Sequence, residues 1–364
     1  MPLTNHPAAG HGRHRLHREQ ARRDRLYEID ALRISAAVAV VVYHYVFSGP
    51  ESGDSPLSFP AAGEVARYGY LGVDLFFMIS GFVVLLNAWD RGPRAFLVSR
   101  IVRLYPAYWV AVTITAVVSA TLSQGQFPVT LVQYAANLTM FNALPDIPNV
   151  DVVYWTLWAE IRFYALILAL TWFGVTRGRV TAMLWGWLAL TFLVQAGVLP
   201  PVADLVVQSE FAHYFIAGMA LCLVYRDGLT PQPGLIIGLC LGNALHRGVA
   251  FAGKVGERYG TEIAPVVVVT VIVAIFVVMT LIALRVTRPL GRPWFAVPGA
   301  LTYPLYLVHA HVGFVIFTGL GDRVPPYVLL GGTIALMGLV AYAIHVLAER
   351  PLAGVLKRYL ATGR

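Results

Sequence analysis

Ten apolar stretches follow one another along the chain, at about 30–48, 69–88, 97–120, 155–173, 181–199, 210–226, 234–247, 263–284, 296–319 and 327–347. Most approach the roughly 20 residues that carry an α-helix across a bilayer. An isolated segment in lipid must satisfy its own backbone, which a helix does. The pattern therefore predicts an all-α fold, a polytopic membrane bundle of about ten transmembrane helices. The seventh stretch is short. Its Gly234, Gly238 and Gly242 recur every four residues, a stripe suited to close packing against a neighbouring helix. Basic residues gather in alternate connections. With the N-terminus in the cytoplasm, most of them fall on the cytoplasmic side, as the positive-inside rule requires. That arrangement needs an even number of spans and puts both termini in the cytoplasm.

Composition agrees. The 364 residues are 58% hydrophobic and 13% charged, with mean hydropathy +0.67, where a soluble chain carries about 25% charged residues. The net charge of +8 comes mostly from arginines at the ends of apolar stretches. They form no single basic patch, so topology explains them better than a nucleic-acid partner. Cys222 and Cys240 both lie in apolar stretches and give neither metal spacing nor a disulfide framework. Three regions result: a basic, disordered cytoplasmic tail over 1–28, a membrane domain over 29–352 and a short basic cytoplasmic tail over 353–364. No cleavage site follows the first stretch, which reads as a retained span. The connection 121–154 holds Pro128, Pro145, Asp146, Pro148 and Asp151. It is either a lid over an outward-facing site or an ordinary long loop.

Candidate chemistry lies where polar residues interrupt the apolar pattern. In "ALRISAAVAVVVYHYVF" (31–47), Arg33 and His44 are eleven residues apart. That is about three helical turns, so they share one face, about 16 Å apart along the axis. His44 has the chemistry of a general base. The same spacing also suits a snorkelling arginine and an interfacial histidine. In "GYLGVDLFFMISGF" (69–82), Asp74 needs a proton or a partner at membrane depth, and it is a candidate to orient His44. Gly69, Gly72 and Gly81 in the same stretch permit close backbone approach. In "SRIVRLYPAYW" (99–109), Arg100 and Arg103 stand three residues apart on one face, a forked pair suited to phosphate. Membrane-edge anchoring is the competing account. In "YWTLWAEIRFYALIL" (154–168), Glu160 and Arg162 point to different faces and need separate partners, and Glu160 is a candidate site carboxylate. In "LTYPLYLVHAHV" (301–312), His309 and His311 point apart, which disfavours a shared metal. No nucleophile-elbow, nucleotide-loop or zinc-protease motif occurs.

Taken in order, these five stretches resemble the integral-membrane acyltransferase-3 family, the bacterial O-acyltransferases, from about residue 29 to 352. The signature blocks are "GVDLFFMISGF", Arg33 with His44, Arg100-x-x-Arg103 before "LYPAYW", "YWTLWAEIRFY", "TYPLYLVH" and the closing "ERP" at 349–351. The resemblance implies a multi-pass protein of the bacterial inner (plasma) membrane with ten helices. It implies transfer of an acyl group, often acetyl, from cytoplasmic acyl-coenzyme A to a hydroxyl of a carbohydrate or glycosylated natural product, with no metal. His44 would be the catalytic histidine, and Asp74 and Glu160 fall on the family's acidic positions. Arg33, Arg100 and Arg103 would serve the donor. Tyr164, Tyr306 and His309 are the candidate acceptor-binding residues. Ile161, Thr156 and Arg162 depart from the family's common choices and leave the acceptor open. The competing function is a proton-coupled transporter with an Asp74–His44–Glu160 relay.

Overall fold

The computed structural model describes residues 25–362, which are mostly helical and contain no strand. The region expected to be a disordered tail falls largely outside them. Each of the ten apolar stretches is helical. The first three spans are α1 (Tyr27–Val42), α2 (Leu71–Ala88) and α3 (Pro93–Leu122). Next come α4 (Trp155–Phe173), α5 (Arg177–Gln195), α6 (Ala212–Asp227), α7 (Pro231–Tyr259) and α8 (Pro265–Ala283). Then follow α9 (Ala296–Val308), α10 (Ala310–Leu320), α11 (Pro326–Ile344) and α12 (Arg350–Thr362). Among the described residues, eight helical stretches are long and apolar enough to cross a membrane, and nine if the bent pair α9–α10 is one span. The fifth stretch forms α5 but is not among those nine.

α2 and α6 form the centre of the bundle. They cross so closely that a Cβ on Gly81 would meet the Phe215 carbonyl and one on Gly218 would meet the Met78 carbonyl. Small residues at a crossing let two backbones approach without lipid between them. Gly69 and Gly72 meet the backbone of α1 at Ala39 and Ala36 in the same way. The stripe Gly234, Gly238 and Gly242 does not behave as its spacing suggested. A Cβ on Gly238 or Gly242 would meet open space, because α7 buries its other face, with Ile236, Cys240, Ala244 and Gly248. α7 is also not short, running 29 residues.

The ninth span is broken. α9 and α10 meet at His309 with a 65° bend. A straight helix would join the His311 N–H to the Leu307 carbonyl. Here each half of that bond goes to a side chain. The Leu307 carbonyl accepts from the Tyr154 hydroxyl at 3.1 Å, and the His311 N–H donates to Asp151 Oδ2 at 3.1 Å. Tyr45 adds a hydroxyl bond to the His309 carbonyl at 2.7 Å. Freed backbone groups at membrane depth need such partners. The terminal residues 350–362 form α12, which packs along α3.

Candidate functional site

His44 sits where α1 widens. Residues Tyr43–Ser48 form a π-turn, a form that recurs at functional sites. His44 Nδ1 lies 2.9 Å from the Val40 carbonyl and 3.2 Å from His309 Nε2. His309 Nδ1 lies 2.9 Å from the Tyr306 carbonyl. A carbonyl only accepts, so the network assigns the proton to Nδ1 in both rings. His309 Nε2 is then an acceptor, and His44 Nδ1–H donates to it and to Val40. His44 Nε2 keeps its lone pair, the arrangement of a ready base. Val40 supplies its carbonyl from one turn earlier on the same helix. His309 is held by the broken span, whose carbonyl and flanking peptides Tyr45, Tyr154 and Asp151 fix.

A cleft with about 840 Å³ of empty volume opens between α1, α2, α3, α4 and α9. Arg33, Arg100, Arg103, Glu160, Tyr164 and Tyr306 all line it. Arg33 makes no hydrogen bond or ion pair with the described residues, though Arg103, Asp30, Glu160 and Tyr164 stand within electrostatic reach. The Arg100 guanidinium lies 5.6 Å from the Tyr164 ring centre and 5.7 Å from that of Phe96. Arg103 pairs with Glu349 at 2.7 Å. Glu349 in turn accepts from His345 Nδ1 at 2.7 Å, within a second π-turn, His345–Glu349. Glu160 accepts from Ser80 at 3.1 Å and from the Tyr164 hydroxyl. Arg100 and Arg103 also line an outer groove bounded by α12, with Arg91, Arg350 and Lys357. The groove and the cleft therefore adjoin at these two arginines. At the other end, the Tyr306 ring lies 5.8 Å from the His309 ring, itself 5.0 Å from that of His44.

Asp74 does not orient His44. It lines a second cavity across α2, with Glu210, His213 and Arg247, and faces the Tyr214 hydroxyl. Glu160 does not touch His44 either, because its partners are Ser80 and Tyr164. His309, expected to bind acceptor, is wholly buried with both ring nitrogens engaged, so it serves His44 instead. Tyr306 does reach the cleft, with its hydroxyl bonded to Thr156 at 2.9 Å. Arg162 and Glu160 have separate partners, as their spacing requires: Arg162 reaches the Asp204 and Leu205 carbonyls at 3.4 Å. The position of Asp151 was legible only as part of a loop. It is in fact 0% exposed, capping the turn at Val153 while holding His311. Glu349 had no signal beyond the "ERP" block. No cluster of three metal-binding side chains occurs among the described residues.

The family model for an acyltransferase domain, acyltransferase-3, matches residues 26–347. The chain belongs to the acyltransferase-3 family. Acyltransferase-3 relatives include the exopolysaccharide production protein ExoZ of Rhizobium meliloti strain 1021. It is 30% identical over 307 residues, which cover 80% of this chain and 91% of that protein. The peptidoglycan O-acetyltransferase OatA of Listeria monocytogenes is 32% identical over 98 residues, 25% of this chain and 13% of that protein. No solved structure matches. This acyltransferase-3 chain is thus a multi-helix acyltransferase, and the cleft, the arginines and His44 all lie within the matched range.

Proposed function

We propose that the protein is an inner-membrane O-acyltransferase. In this reading it moves an acyl group, most simply acetyl, from cytoplasmic acyl-coenzyme A to a hydroxyl of an envelope or secreted polysaccharide. The relatives' names, an exopolysaccharide production protein and a peptidoglycan O-acetyltransferase, support the acceptor class. The observation that carries the donor is the convergence of Arg33, Arg100 and Arg103 on one cleft that also reaches Tyr306, the ring beside the His309–His44 pair. Guanidinium forks recognise phosphate through paired N–H donors. The Arg33–His44 separation of about 16 Å suits an extended thiol arm between phosphate and thioester.

His44 Nε2 takes the proton of the acceptor hydroxyl as its oxygen attacks the thioester carbonyl. The C–S bond breaks, and the imidazolium returns the proton to the departing thiolate. His309 Nε2 and the Val40 carbonyl hold Nδ1–H throughout, as an orienting partner does in hydrolase triads. The relay reading of a transporter has less support, since no hydrogen bond among the described residues links Asp74, His44 and Glu160.

The test uses membranes carrying the protein, radiolabelled acetyl-coenzyme A and de-O-acylated envelope glycan. His44→Ala should abolish label transfer while the protein stays inserted at normal abundance. Near-normal transfer by that variant would sink the reading.

A further inference from the structure

The second cavity lies across α2 from the arginine-lined cleft. It is open to the surface and is lined by residues of α2, α4, α6 and α7. Its polar lining is mixed: Asp74 and Glu210 on one side of the charge balance, Arg247 and Lys254 on the other. Two aromatic pairs complete it. Trp155 and Phe211 lie 5.2 Å apart, and Tyr70 and Phe251 lie 5.4 Å apart. Trp155 and Phe251 are 39% and 37% exposed. His213, only 1% exposed, lines this cavity with neither ring nitrogen bonded. The Tyr70 hydroxyl is also buried without a partner. A buried polar group left unpaired costs about 1–3 kcal/mol, so these atoms point to an absent ligand.

The chemistry of the lining selects the ligand class. The lining mixes two carboxyl groups with two cations, so it suits an anion less than the cleft, which sets three arginines against one carboxylate. Every hydroxyl of a sugar both donates and accepts. A neutral polyol can therefore donate hydrogen bonds to Asp74 and Glu210 and accept them from Arg247, Lys254 and His213. The aromatic pairs offer flat apolar faces to a sugar ring. The position is also informative. Val73 lines both cavities, and Tyr70 lies 5.9 Å from Tyr43, the neighbour of His44. A sugar held here sits beside the reaction centre, not in it.

We propose that this cavity is a saccharide subsite that holds the unit next to the one being acylated. The inference rests on the acyltransferase reading above and places its acceptor. Asp74, read from sequence as part of the catalytic group, then becomes a specificity residue.

The test uses the full-length protein in nanodiscs, with the source cell's envelope glycan freed of acyl groups by mild alkali. Glu210→Gln is a mild change at an exposed position, and Phe251→Ala removes a stacking face. Each should raise the glycan KM about tenfold, equivalent to about 1.4 kcal/mol. The acetyl-coenzyme A KM should stay within about twofold. Calorimetric binding of the same glycan, measured without donor, should weaken in parallel. Unchanged glycan KM and unchanged binding would overturn the subsite. So would an equal loss toward glycan and donor. If the unaltered protein binds glycan but transfers nothing, the acyltransfer reading fails and the subsite stands. If it binds no glycan, the subsite fails.

Discussion

At the scale of single residues, the decisive feature is the pairing of two histidines. His44 and His309 were both visible in the sequence, but in unrelated stretches 265 positions apart. Periodicity reports which face of a helix a residue occupies and cannot say which other helix it meets. Hence Asp74 was one candidate to orient His44, while the structure places His309 against it. The consequence is testable. His309→Leu should cut kcat about 10- to 100-fold, the usual effect of removing a group that orients another, and leave the acetyl-coenzyme A KM nearly unchanged. His309→Asn, which keeps an acceptor, should recover part of the rate. Equal losses in both variants would mean that His309 only fills space. The arginines call for a different measurement. Arg100→Lys keeps the charge but loses the planar fork. It should raise the donor KM about tenfold with a smaller change in kcat, as read from initial-rate kinetics at saturating glycan.

At the scale of elements, both π-turns of the described residues serve the site: Tyr43–Ser48 carries His44, and His345–Glu349 carries the carboxylate that pairs with Arg103. Neither turn was legible, because apolar periodicity over so few residues does not separate α from π. The break between α9 and α10 was equally hidden. Residues 296–319 read as one continuous span, since the residues that open it, Tyr45, Asp151 and Tyr154, lie elsewhere in the chain. The ten helical stretches and the close approach of Gly69, Gly72 and Gly81 were legible, because length, apolarity and small side chains act locally. The stripe of three glycines on α7 shows the limit of that logic, since spacing alone does not say whether a face meets a helix or nothing. Two outcomes follow. Asp151→Ala strands the His311 N–H at membrane depth. It should lower the unfolding midpoint in detergent by an amount equivalent to about 1–3 kcal/mol, and lower kcat with it. Gly218→Val should be worse, since its side chain meets the Met78 carbonyl at the central crossing. Its signature is loss of folded protein by size-exclusion chromatography.

At the scale of the whole molecule, the arginine-rich groove beside α12 adjoins the cleft at Arg100 and Arg103, and the cleft reaches Tyr306, the neighbour of the histidine pair. Sidedness gives this route its biological sense. Reporter fusions at the C-terminus and in the 121–154 connection should report opposite compartments, with the C-terminus in the cytoplasm. The reverse result would place the groove away from cellular acyl-coenzyme A and remove the basis of the donor assignment. Val73 has a consequence of another kind. It is the side chain shared by the cleft and the second cavity, and Tyr43, Tyr70 and Tyr306 surround the same region. If the two cavities open to opposite compartments, Val73 is part of the barrier of α2 that separates them, and narrow apolar constrictions stop ions by excluding water. In that arrangement the same residue serves both catalysis and the electrical seal. Liposomes containing the protein should hold a proton gradient as long as empty ones, and Val73→Gly should let it collapse.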